Sequence, residues 1–514
     1  MNTGILLHQG MGITKDEWRL QWRNWGTWLV GLFLLAVVIS EHPVWSTHKF
    51  SVLEAASIWA DRVSLVGSLV AMLTVPFALD RVRRQRVTPI EFSKPFEKLA
   101  YVVGKFVGAA LPLALVTTVS MGIHLVITLA TQQDISLITA GASYLRQAIL
   151  IAFVPLIYAT TLIYSLSVYI RRPIIIIPLF LSYLIMTTAT QAAADAKFSW
   201  FSPIVRPEYF GGVIPAEWTP AILTHQIIYL LLSVSFLALA VIGFQRKRFI
   251  KEHSFVWRRY FHFPIPAHLS VNFRMLWGGH IVAALLMAFV AIANTMANPQ
   301  TDAVLRVDYA LFGLEFYLPI SGLLILTGVI ARDKGVGMLD MLLTKPVNRW
   351  RLMIERLLPA LVIYGALCLV SVSLLHMLYQ SFSIPKALLV SLSTGVYLGM
   401  VGMTAANITQ NALAGYGAGL IYWFFEAAFD GRFTAPFYLL IVSSQIPIES
   451  GEVWQNPAIW LPAKVGVLIL GAWLFVLNGW LFDIGDKRRR AITIIVVSIP
   501  VIFALGWWLI PMFV

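Results

Sequence analysis

Residues 106–129 contain no Asp, Glu, Lys or Arg, and neither do residues 148–170, 227–244 or 357–379. A helix needs about 20 apolar residues to cross the hydrocarbon core of a bilayer. Charged residues make up 12% of the chain and apolar residues 59%. Soluble domains carry about 25% charge, so there are too few charges here to wet a soluble surface of this size. The expected fold class is therefore an all-α polytopic membrane protein.

Thirteen apolar stretches can be marked between charges and Pro/Gly/Asn loops. They are 25–40, 62–79, 106–129, 148–170, 173–188, 227–244, 277–296, 309–331, 357–379, 387–408, 412–429, 465–482 and 491–514. The net charge of +13 would suggest nucleic acid in a soluble protein. Here it is resolved by side. With the N-terminus inside, the inner segments hold 29 of 38 basic residues and 11 acidic ones, a net of +18. The outer side keeps 9 basic and 14 acidic residues, a net of −5. Lys/Arg excess marks the cytoplasmic side. The expectation is a multi-pass plasma-membrane protein with a cytoplasmic N-terminus, an outer C-terminus and no nucleic-acid partner. The lone Cys368 excludes an intramolecular disulfide.

The chain repeats itself. Arg81 … Ser93-Lys94-Pro95 … Lys98 … Lys105 matches Arg332 … Thr344-Lys345-Pro346 … Arg349 … Arg356 at a fixed offset of 251. Each loop follows the second span of its half and feeds the third. Each half opens on a basic Trp-containing stretch, with Trp18, Trp22 and Trp25 at helical spacing in the first. Such a stretch suits a helix lying in the membrane interface. Each sixth span ends in a basic cluster, Arg246-Lys247-Arg248 and Lys487-Arg488-Arg489-Arg490. The expected plan is a first half at 1–245, a basic linker at 246–264, a second half at 265–490 and an extra span at 491–514. Six spans per half make the halves parallel, with a pathway expected between them.

No metalloprotease, nucleophile-elbow or phosphate-loop motif occurs, so the chain is expected to be no enzyme and to carry no cofactor of its own. The most informative stretch runs from Arg332 to Trp350. Gly337 leads into an apolar-rich helix bearing Asp340, and Lys345-Pro346-Val347-Asn348-Arg349 turns the chain back to the membrane. Met338, Leu339, Met341, Leu342 and Leu343 need covering, by the headgroup layer, by this protein's own helix ends or by a groove on a soluble partner.

This stretch resembles the signature of ABC-2-type transporter permeases. Gly337-Met338-Leu339-Asp340 is similar to their Gly-Thr-Leu-Glu element. The first loop matches less closely, with Pro89 where the second has Asp340. The resemblance implies a type V exporter-like fold of two parallel six-helix repeats, with the stretch from Ala491 as an extra C-terminal transmembrane helix. It implies two ABC ATPase subunits, which would bind ATP and Mg. They would dock on coupling helices at Val87, Ile90, Glu91, Phe92 and Lys94, and at Met338, Leu339, Asp340, Leu342, Leu343, Lys345 and Arg349. The Trp18/Trp22/Trp25 stretch would be the elbow helix, and the fifth span of the second half, with Gly415 and Gly419, would lie at the seam between halves. The implied function is export of an amphipathic or lipidic compound. One rival is an ion-coupled secondary transporter, which needs polar groups at mid-membrane depth. Another is a lipid-linked membrane enzyme. Glu315, Glu426 and Asp430 fall near span ends and are expected in a wetted outer vestibule.

Overall fold

The computed structural model describes residues 3–23, 25–40, 42, 50–76, 78–79, 97–132, 135–170, 173–193, 202–205, 208–209, 213–214, 219–244, 279–297, 313–335, 349–379, 383–409, 412–428 and 457–481. The protein is an all-α polytopic membrane protein. Among the described residues seven helices are long and apolar enough to cross a membrane. The expected thirteenth span, 491–514, lies outside the described residues. Contacts divide the chain into two compact units, Met1–Arg259 with Met296–Asn298, and Tyr260–Thr295 with Pro299–Val514.

The first unit contains α1 (Thr3–Trp22), α2 (Trp25–Ser40), α3 (Val52–Thr74), α4 (Lys98–Thr131), α5 (Leu137–Gln147), α6 (Val154–Tyr169), α7 (Pro173–Ala193) and α8 (Pro220–Gly243). A π-helical turn, Ala148–Phe153, joins α5 to α6. Two-residue strands β1 (Glu208–Tyr209) and β2 (Val213–Ile214) pair antiparallel. Local chemistry sets several helix starts. Ser51 caps α3 by accepting from the Glu54 amide, and Glu54 accepts from the Ser51 amide. That reciprocal pair satisfies two donors a helix start otherwise leaves open. Thr219 caps α8 and Pro220 supplies the first helical position, where no N–H is needed. α3 lies at the centre, packed by α2, α4, α5, the π-turn, α6 and α7.

The structure begins α3 ten residues before the expected start at Arg62. Asp61, the charge just before that start, is buried within the helix instead of marking its edge. The third span likewise runs from Lys98 rather than Phe106, because Lys105 is buried in an ion pair instead of marking the water edge.

The second unit contains α9 (Gly279–Ala297), α10 (Leu318–Gly335), α11 (Arg349–Tyr379), α12 (Ile384–Thr409), α13 (Ala412–Ala428) and α14 (Pro457–Leu481). A helical turn at 313–316 leads into α10. α12 is the central element, packed by α10, α11, α13 and α14. Small residues let these helices close up. A Cβ on Gly322 of α10 would sit 2.6 Å from the Gly395 carbonyl of α12. One on Gly415 of α13 would meet Ala406 and Thr327 at 2.7 Å. Ile325, Leu326, Met353, Tyr364, Cys368, Val390 and Met400 form the apolar core around them.

Candidate functional site

Val87, Ile90, Glu91, Phe92 and Lys94, and Met338, Leu339, Asp340, Leu342, Leu343 and Lys345, lie outside the described residues. Arg349 is the first residue of α11, and its side chain is outside them too. The two loops open into the two longest described helices, α4 of 34 residues and α11 of 31. Their first residues, Lys98 and Arg349, stand 251 apart, the offset of the loops themselves.

The Trp-rich stretch forms the end of α1. Trp18 and Trp22 meet edge to face at 5.3 Å, and Trp22 packs on Trp28 at 4.4 Å. The Trp25 side chain is outside the described residues. The helix is held down along α4. Thr14 Oγ1 donates to the Gly104 carbonyl at 3.2 Å, and Lys105 Nζ pairs with Glu17 Oε2 at 3.0 Å, both side chains buried. Gly104 and Gly108 make the approach possible. A Cβ on Gly108 would lie 2.6 Å from Glu17 Cβ and 2.9 Å from the Thr14 carbonyl. Gly415 and Gly419 face Gly402, Thr327 and Leu323 of their own unit.

The strongest constellation was not expected. Lys464 of α14 donates to Glu315 Oε1 at 2.8 Å and to Thr394 Oγ1 of α12 at 3.1 Å. Glu315, Lys464, Thr394 and Glu426 are each 0% exposed. Thr394 is the eleventh of 26 residues in α12, about 15 Å from its start at 1.5 Å per residue. The ammonium therefore reaches the middle of a membrane-length helix. This corrects the wetted vestibule expected for Glu315 and Glu426: both carboxylates are enclosed by protein. Lys464, one of the nine basic residues that the sequence assigns to the outer side, is an interior group.

Aromatic residues adjoin the pair. Trp423 Nε1 donates to the Phe316 carbonyl at 3.0 Å, tying α13 beside Glu315. The hydroxyls of Tyr397 and Tyr422 lie 3.3 Å apart, and in the first unit those of Tyr158 and Tyr183 lie 3.4 Å apart. Both pairs are 25 residues apart in sequence and join the fourth and fifth apolar stretches of their units. That 25-residue spacing is common to both units. Further along α12, Asn407 donates to Asn478 Oδ1 at 2.7 Å, and Asn478 donates to Thr404 Oγ1 at 2.8 Å.

The first unit buries a polar cluster of its own. His42, following α2, lies 2.9 Å from Thr128 Oγ1, and its ring sits 4.0 Å from that of His124. His124 Nδ1 lies 2.5 Å from the Tyr144 hydroxyl, which is 2.8 Å from Thr128 Oγ1. Burial lowers the His42 pKa to about 4, partly offset by a hydrogen bond to the His124 backbone. His376, which the sequence sets at similar depth to His124, is half-buried instead. Among the described residues no group of three or more His, Cys, Asp or Glu could hold a metal ion.

Comparison with protein-family models gives no match, and no curated protein matches the chain.

Proposed function

We propose that this chain is the transmembrane permease subunit of an ATP-driven, ABC-2-type exporter, with both six-span halves fused. The observation that carries the reading is the pair of basic loops at an offset of 251, each entering the long third helix of its half. The common start of α4 and α11 in that register supports it. So do the tyrosine pairs of equal spacing, and the openings Thr219-Pro220-Ala221-Ile222 and Asn456-Pro457-Ala458-Ile459 at the sixth spans. Two separate ATPase subunits would bind ATP and Mg and dock on the two loops. Closing the ATPases would draw the loops together and reopen the pathway to the other side. The α1–α4 contact at Glu17 and Lys105 would pass loop movement to the elbow helix. The apolar spans suit an amphipathic or lipidic cargo. The test is copurification with an ATPase, and its loss in a Leu342→Asp, Leu343→Asp chain. ATPase association that survives the double substitution would refute docking at this loop.

One observation favours a second reading. Buried ionisable groups within membrane helices are functional candidates by default, and Glu315, Lys464 and Glu426 are such groups. They are what an ion-coupled secondary transporter uses. Transport that continues without ATP and stops when the proton gradient is collapsed would establish that reading instead.

A further inference from the structure

The fourth apolar stretch of the first unit is not one regular helix. α5 ends at Gln147, the π-turn covers Ala148–Phe153, and α6 resumes at Val154. In a π-turn each carbonyl is bonded by the amide five residues on. For the carbonyl of Leu150 that position is Pro155, which has no N–H to give. Leu150 is 0% exposed, so water does not replace the donor. The donor comes from another helix: Gln226 Nε2 of α8 bonds the Leu150 carbonyl at 2.9 Å.

The segments on either side of the turn have different anchors. Tyr144 of α5 bonds His124 and Thr128 of α4 and lies against Trp59 of α3. On α6, Tyr158 meets Tyr229 of α8 edge to face at 4.9 Å. Tyr169, at its end, donates to the Leu239 carbonyl of α8 at 2.9 Å. Tyr164 of α6 also donates to the Val102 carbonyl of α4 at 2.8 Å, so α6 is the segment packed along α8 as well as on α4, and its joint with α5 is where Gln226 reaches across. The second unit supplies a comparison. Counted from Tyr397 as Pro155 is from Tyr158, the corresponding residue is Thr394, which keeps its N–H, and α12 continues as α-helix from Ile384 to Thr409.

We propose that Ala148–Phe153 is a hinge within the fourth span, and that the Gln226 amide is its latch. With the bond made, α5 and α6 hold one angle; with it released, they tilt about the turn. The inference stands apart from the energy source, because it concerns the resting chain.

The test is hydrogen exchange on the full chain in nanodiscs, read over residues 148–158. Gln226→Leu should raise exchange there about tenfold, the effect of leaving one buried carbonyl without its donor. Pro155→Ala restores the backbone donor, so adding Gln226→Leu to that background should raise exchange by less than about threefold. An equal rise in both backgrounds, or none in either, would overturn the latch. A second measurement does not depend on Pro155→Ala folding. Spin labels at Ile138 and Ile157, both exposed, in a Cys368→Ser chain should give a broader distance distribution once Gln226→Leu is added. An unchanged width would overturn the hinge.

Discussion

Lys464 and Glu315 meet at 2.8 Å across 149 residues of sequence, both wholly enclosed, one on α14 and the other in the turn before α10. Removing one partner of a buried pair leaves a charge without compensation and costs about 3–5 kcal/mol. Replacing both with apolar residues of similar volume is often neutral. Lys464→Met alone should therefore destabilise the chain severely in a detergent melt. Adding Glu315→Leu to Lys464→Met should recover much of the loss. A double variant no better than the single one would mean that the pair does not act as a unit.

The contact between α1 and α4 depends on Gly108, where a Cβ would press on Glu17 and the Thr14 backbone. Gly108→Leu should release α1, shown by faster trypsin cleavage after the exposed Lys15 and Arg19. Gly122 of the same helix has nothing within 4 Å of a built Cβ, so Gly122→Leu should leave cleavage unchanged.

His42 gives a pH dependence of fixed sign. Burial holds it near 4 in the folded chain against 6.5 for the free side chain. Above pH 6.5 His42 is neutral in both states and its contribution to stability is complete. As pH falls from 6.5 to 4 the unfolded chain binds a proton that the folded chain refuses. Stability should drop over that window by something on the order of 2 kcal/mol. A His42→Gln chain should show a flatter profile in the same melts.

The membrane class was legible because uncharged runs of the right length have one structural outcome, and twelve of the thirteen marked stretches overlap described helices. Span ends were less legible, for one physical reason. A charge was taken to mark water, but Asp61, Lys105 and Lys464 are covered by protein. Lys464 and Glu315 carry no local sign of their pairing, since only tertiary packing brings α14 to the turn before α10. The tyrosine pairs were legible in principle, because their 25-residue spacing occurs in both units.

Asn478 of α14 bonds both Asn407 and Thr404 of α12. Asn478→Leu would leave Asn407 without this partner, at about 1–3 kcal/mol for a buried polar group. Asn478→Leu with Asn407→Leu should be less destabilised than Asn478→Leu alone.

On the proposed function the two basic loops receive an ATPase. The direct measurement places a photo-crosslinking residue at Leu342, and in a second chain at Ile90, irradiates native membranes and sequences the adducts. Leu342 should give an adduct with a protein containing a phosphate-binding loop, lost when Leu343→Asp is added. Adducts at both positions to lipid alone, or to no nucleotide-binding protein, would contradict it.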